Sequence, residues 1–137
     1  MRLLKFLLIF VIIGIFAISC TPPEEKAEEY YSKGMKIFYK NDPKNALVEF
    51  EKGLKYDPNH DRLLYQSGNC YMNFHDYHTA IDFYTKAIKS NPKAYNAYFN
   101  RGQCWFYLQD RDKSCADWLK ADSLGRHNMA DYIKHCK

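Results

Sequence analysis

The residues able to do chemistry in this chain are few: five cysteines, five histidines and a scatter of carboxylates. Cys70 and Cys104 lie 34 residues apart, in equivalent places of a repeating pattern that favours small residues there, and read as buried apolar side chains rather than redox or metal groups. Cys115 and Cys136 lie ten residues before and eleven after Gly125. An antiparallel helix pair turning at Gly125 would set them opposite each other, as a disulfide closing a loop of about 20 residues and worth roughly 3 kcal/mol, or as two further core cysteines. His60, His75, His78, His127 and His135 read as solvated surface residues, because no CxxC or HExxH spacing gathers the three or four ligands a metal needs. No metal or other cofactor is expected. Glu49, Glu51, Asp82, Asp117 and Asp122 read as solvated carboxylates on helix faces. There is no glycine-rich phosphate loop, no GxSxG and no nucleophile with an evident base, so the expectation is a protein that is not an enzyme.

Length and composition limit what could position such groups. The chain has 137 residues, room for one ordinary domain and too little for separate cofactor and substrate domains. Its formal charge is +4, with no arginine-rich stripe, which gives no reason to expect nucleic acid. Aromatic residues, at 17%, are the excess to be explained.

The first twenty residues have their own pattern. Arg2 and Lys5 precede the uncharged run Phe6–Ile18, and small residues lead to Ser19-Cys20. Thirteen residues fall short of the about 20 needed to span a bilayer and fit the apolar core of a signal peptide at 1–19. The tail Ala17-Ile18-Ser19-Cys20 resembles the lipobox of bacterial lipoproteins, with Ala17 where that family usually has leucine. The resemblance implies cleavage before Cys20, acylation of its thiol and a membrane anchor there. Thr21, in place of the aspartate that retains such proteins at the inner membrane, favours the outer membrane. Residues 20–26 then read as a lipidated start and polar tether, opening the acidic run TPPEEKAEE, whose two prolines keep it extended.

The rest repeats every 34 residues. Gly34, Gly68 and Gly102 set the ladder, joined by Tyr30, Leu64 and Tyr98; Ile37, Tyr71 and Trp105; Ala46, Ala80 and Ser114; Phe50, Tyr84 and Trp118; and Gly53, Ala87 and Ala121, with Pro58 and Pro92 closing the first two units. Large, glycine, large at helical spacing makes one helix face that a partner can approach closely. Asp42-Pro43 is a helix start. The spacing predicts helices at about 24–40, 44–56, 61–74, 77–90, 94–108 and 111–123, with a further amphipathic helix over 128–135. These columns resemble the tetratricopeptide repeat. The resemblance implies an all-α fold, a right-handed superhelical array of three helix-turn-helix units at 27–60, 61–94 and 95–128, with a capping helix at 129–137.

In that family the first helix of each unit lines a concave groove. Here it would present Tyr31, Met35, Phe38 and Tyr39; Arg62, Tyr65, Asn69, Met72 and Asn73; and Asn96, Phe99, Asn100, Gln103, Phe106 and Tyr107. Aromatic rings offer contact area at low entropy cost, and carboxamides offer both donors and acceptors to a peptide backbone. Some repeat proteins grip a terminal carboxylate through several cations on this face; Arg62 is the one cation here, which disfavours that mode. Three functions are weighed: a membrane-tethered module binding a segment of another envelope protein, a binder of glycan or peptidoglycan through the same rings and carboxamides, and a redox enzyme built on Cys115 and Cys136. Nothing in the sequence lowers either thiol's pKa, so the third ranks last.

Overall fold

The computed structural model describes residues 21–134 and Cys136. The signal peptide at 1–19 and the acylation site Cys20 lie outside the described residues. The described chain runs through seven helices: α1 Pro23–Phe38, α2 Pro43–Tyr56, α3 Asp61–Asn73, α4 Tyr77–Ser90, α5 Tyr95–Tyr107, α6 Arg111–Ser123 and a single turn, α7, Ala130–Ile133. Consecutive helices form three hairpins, α1/α2, α3/α4 and α5/α6, and these stack through α2 on α3 and α4 on α5.

The ladder of columns is the packing code of the hairpins. Phe50, Tyr84 and Trp118 lie against Gly34, Gly68 and Gly102 of the preceding helix. A Cβ at Gly68 would stand 2.7 Å from the Tyr84 ring and one at Gly102 2.6 Å from that of Trp118, so only glycine admits the ring at this depth. Ala46 and Ala80 are wholly buried, and Ser114 meets the same constraint with its hydroxyl donating to the Arg111 carbonyl at 2.9 Å. The core thus runs along the array in three linked clusters rather than around one centre.

Each hairpin turns by the same device. Asn41, His75 and Gln109, again 34 apart, adopt left-handed φ of 61°, 60° and 62°. The next residues, Asp42, Asp76 and Asp110, cap α2, α4 and α6 by accepting from the backbone N–H of Asn45, Thr79 and Lys113 at 3.1, 3.2 and 3.1 Å. Side-chain hydrogen bonds from Asn45, Thr79 and Lys113, and then these backbone bonds, hold all three carboxyls below the usual aspartate range. A depressed folded pKa contributes stability that is present above the unfolded value and lost as pH falls through the folded one. Acid titration of thermal stability should therefore show a decline below about pH 4, shallower in the triple variant D42N/D76N/D110N. A variant as acid-sensitive as the parent would assign the decline to other carboxylates.

Both ends differ from the sequence expectation. The predicted polar tether is largely helix: Pro23 occupies the first helical position and Glu24 and Glu25 the first turn, where proline's fixed φ and the positive helix terminus favour them. The predicted cap over 128–135 contracts to one turn, because Gly125 at φ 93° and Asn128 at φ 61° redirect the chain and Met129 gives α7 no side-chain cap. Met129 itself is buried with Phe99, Trp118 and Ala121, so the segment still covers the last hairpin. Cys115 and Cys136 are joined as a disulfide with Cα atoms 5.3 Å apart, fastening this segment to α6.

Candidate functional site

The helices α1, α3 and α5 bring most of the sequence-predicted groove residues onto one continuous face. Tyr39, Phe106 and Tyr107 are exposed at 81%, 58% and 54%, an unusual display of rings on a small domain. Arg62, Asn73 and Asn96 are exposed, and Tyr31, Met35, Tyr65, Asn69, Asn100 and Gln103 are half-buried. Two depressions lie along the face. One of about 580 Å³ is bounded by Phe38, Asn69, Asn73, Tyr77, Asn100 and Tyr107. A larger one, about 880 Å³ and mainly apolar, lies between α5, α6 and the terminal segment and shares Gln103 and Tyr107 with the first.

The groove floor is a polar network anchored from the second layer. Tyr84, buried on α4, donates from its hydroxyl to Asn69 Oδ1 at 2.7 Å. The same oxygen accepts from Asn100 Nδ2 at 2.8 Å, which also donates to the Tyr65 hydroxyl at 3.1 Å. Asn69 Nδ2 in turn donates to Gln66 Oε1 at 2.8 Å. Burial raises the Tyr84 hydroxyl's pKa far above the ordinary tyrosine value, so it stays a neutral donor. Asn69 and Asn100, expected as free carboxamides, thus spend their donors on each other's surroundings and hold the floor rigid. The stacked rings of Tyr77 and Tyr107, 4.8 Å apart, form one wall.

Three expectations, for Phe99, His60 and Asp117, are corrected by the structure. Phe99, placed on the groove by its helix position, is only 6% exposed and belongs to the core around Trp118, because the Tyr132 ring meets it edge-on at 4.9 Å and the Arg126 guanidinium lies 3.6 Å from its centroid. Asn96 is exposed, but its Oδ1 accepts from Arg126 Nη1. His60 is not a solvated histidine: its Nδ1 accepts the Leu63 N–H at 3.3 Å as the N-cap of α3, while Nε2 faces Glu28 at 3.3 Å. Asp117 is not on a solvated face either. It is 6% exposed and grips Arg101 through both oxygens, at 2.7 and 2.8 Å, while Arg101 Nη1 reaches Thr85 Oγ1 at 3.0 Å.

Charge within the groove is already committed. Arg62 pairs with Glu28 across the α1–α3 junction and covers the Tyr31 ring at 4.6 Å. Cys70 and Cys104 are buried, and desolvation pushes both thiols up to about 12. Among the described residues, no group of three or more histidine, cysteine or acidic side chains could hold a metal ion, and no helix is long and apolar enough to cross a membrane. Sequence reasoning missed Tyr77, Tyr84, Trp118 and Tyr132 as groove or cleft residues. Their spacing marks the first three as second-helix residues, and only the stacking shows that their rims reach the concave side.

Comparison with known proteins gives this geometry its context. Residues 61–94 match the family model described as tetratricopeptide repeat. Over 94 residues the chain is 38% identical to Hsp70-Hsp90 organizing protein 2 of Arabidopsis thaliana, an alignment covering 69% of this chain and 16% of that protein. It is 28% identical over 88 residues to anaphase-promoting complex subunit 3 of Schizosaccharomyces pombe, covering 64% of this chain and 13% of the relative. The chain spans less than a quarter of each curated relative it matches. Among solved structures, the first TPR of Spaghetti (RPAP3) bound to the HSP90 peptide SRMEEVD is similar with a TM-score of 0.77 and 22% identity, over 82% of this chain and 90% of that one. YrrB, a TPR protein with an unusual peptide-binding site, is similar with a TM-score of 0.72 and 22% identity, over 80% and 57%. At these identities the likeness is one of fold: an all-helical superhelical array.

Proposed function

We propose, from the premise that residues 61–94 are a tetratricopeptide repeat within an array of that fold, that the chain is a non-catalytic interaction module whose groove holds an extended internal segment of a partner protein. The observation that carries this reading is the aromatic face of α1, α3 and α5, bedded on the Tyr84–Asn69–Asn100–Tyr65 hydrogen bonds. Rings supply apolar contact, and the polar atoms left at the rim, such as the Gln103 carboxamide, can meet a peptide backbone. The chemistry favours an internal segment over an acidic chain end. A terminal carboxylate needs unpaired cations, and Arg62 is held by Glu28 and Tyr31.

The same reading places the module on a bacterial membrane, the outer membrane by preference, through acylated Cys20. Because α1 starts at Pro23, the three chain steps from Cys20 through Thr21 and Pro22 would then allow a reach of only about 10 Å between the anchored residue and the first helix, so the array would lie close against the surface. Incorporation of labelled palmitate, abolished by Cys20→Ser, is the expected result for the anchor.

For the groove, benzoylphenylalanine in place of Tyr107 should crosslink an internal segment of an envelope protein in cells, whereas the same group at Val48 on α2 should not. Labelled SRMEEVD should bind no better than its scrambled sequence. Retention on peptidoglycan without a protein crosslink would replace this reading with a glycan binder.

A further inference from the structure

The larger depression has an unusual construction. One side is α5, with Gln103, Phe106 and Tyr107; the floor is α6, with Trp118; the other side is the terminal segment, with Tyr132 and Cys136. Every residue of that last wall lies inside the 21-residue interval closed by the Cys115–Cys136 bond. Its helix, α7, has four residues, far too few to persist without tertiary support. Besides the disulfide, it is held by Met129 in the core, by Ile133 packed on the same cluster and by the Tyr132 ring, edge-on to Phe99 at 4.9 Å and to Trp118 at 5.3 Å. Both bonded cysteines are partly exposed, whereas Cys70 and Cys104 are wholly buried and cannot enter exchange in the folded protein.

We propose that the Cys115–Cys136 disulfide is a redox latch on this cleft: the oxidised protein holds the wall that seats an aromatic side chain of a bound peptide, and reduction by a dithiol releases it. The inference rests on the reading of the groove as a peptide site, of which the cleft is the far end, joined through Gln103 and Tyr107. The occupant follows from the walls. About 880 Å³ lies within the range of ligand clefts, and the rings of Phe106, Tyr107 and Tyr132 offer faces and edges to another ring. The exchange balances as a two-electron transfer. A thiolate of the dithiol attacks one sulfur of the bond and expels the other as a thiolate, giving a mixed disulfide. The second thiol of the reductant then displaces the first protein sulfur. The protein ends with two thiols and the reductant with one disulfide.

The test uses the full chain in detergent micelles and N-acetyl-phenylalaninamide as the probe. In the oxidised protein, the amide resonances of Gln103, Tyr107 and Tyr132 should shift saturably. After treatment with dithiothreitol the affinity should fall at least tenfold and return on reoxidation, with helical circular dichroism unchanged. Iodoacetamide added after reduction should mark Cys115 and Cys136 and leave Cys70 and Cys104 unmodified. In a Trp105→Phe background, acrylamide quenching of Trp118 should rise on reduction. A bond that is reduced without change in affinity, an absence of saturable shifts in the oxidised form, or modification of Cys70 and Cys104 would each overturn the latch; the last would make the bond a brace of the whole fold. Because reduction is reversible, the conclusion needs no cysteine variant. Failure of the crosslink at position 107 with the probe result intact would remove the peptide reading alone.

Discussion

Replacing Asp117 with alanine is expected to destabilise the protein by about 3–5 kcal/mol, far more than the loss of a surface carboxylate. The bidentate bond from Arg101 spans the α5/α6 hairpin, and Arg101 also reaches Thr85 on α4, so the pair ties the second unit to the third. Removing the carboxylate strands a guanidinium whose side chain is 19% exposed. The double variant Arg101→Met/Asp117→Leu should recover most of the loss, because apolar packing replaces a desolvated pair at little net cost. Chemical denaturation of the two single variants and the double one closes the cycle. A loss below about 1 kcal/mol in Asp117→Ala would mark the pair as an ordinary surface bridge.

The second large effect is expected at Tyr84. Tyr84→Ala removes a fully buried ring lying against Gly68 and should cost about 3–5 kcal/mol through lost burial and the cavity left behind. Tyr84→Phe keeps the ring and removes the donor to Asn69, for an expected about 1–2 kcal/mol. The two variants separate stability from function. Tyr84→Phe should loosen the floor and weaken peptide binding while leaving the array folded, because Asn69 Oδ1 keeps only the bond from Asn100. Equal losses in both variants would show that the hydrogen bond, not the ring, carries the position. A wild-type affinity in Tyr84→Phe would detach the floor from recognition.

The ion pair shows how far column reading could have gone. Arg101 and Asp117 fall in the columns of Lys33 and Glu49, opposite charges at the same spacing in the first unit. The second unit has Ser67 and Phe83 there, and the Ser67 hydroxyl is buried without a partner. A partner for Asp117 was therefore legible in the periodicity. Its burial was not, since Asp117 lies close against Gly102 of α5 and beneath an Arg101 guanidinium that also reaches Thr85 of the preceding unit.

The residues along the chain decided the period, the three hairpins, the glycine–ring contacts and the aspartate caps, because each depends on neighbours within one unit and recurs with the 34-residue spacing. The tertiary structure decided which face of a helix is covered. Phe99 and Tyr107 both lie on α5, yet only Phe99 meets Tyr132 and Arg126, from a segment about thirty residues away. The Tyr84 hydroxyl reaches the groove floor, His60 bridges to Glu28 across the first two units, and the cap shrinks to a turn pinned by sulfur, all for the same reason. In a solenoid, local pattern specifies each unit, while exposure and hydrogen bonding at its surface are set by the next unit along, and that information lies outside any single helix's sequence.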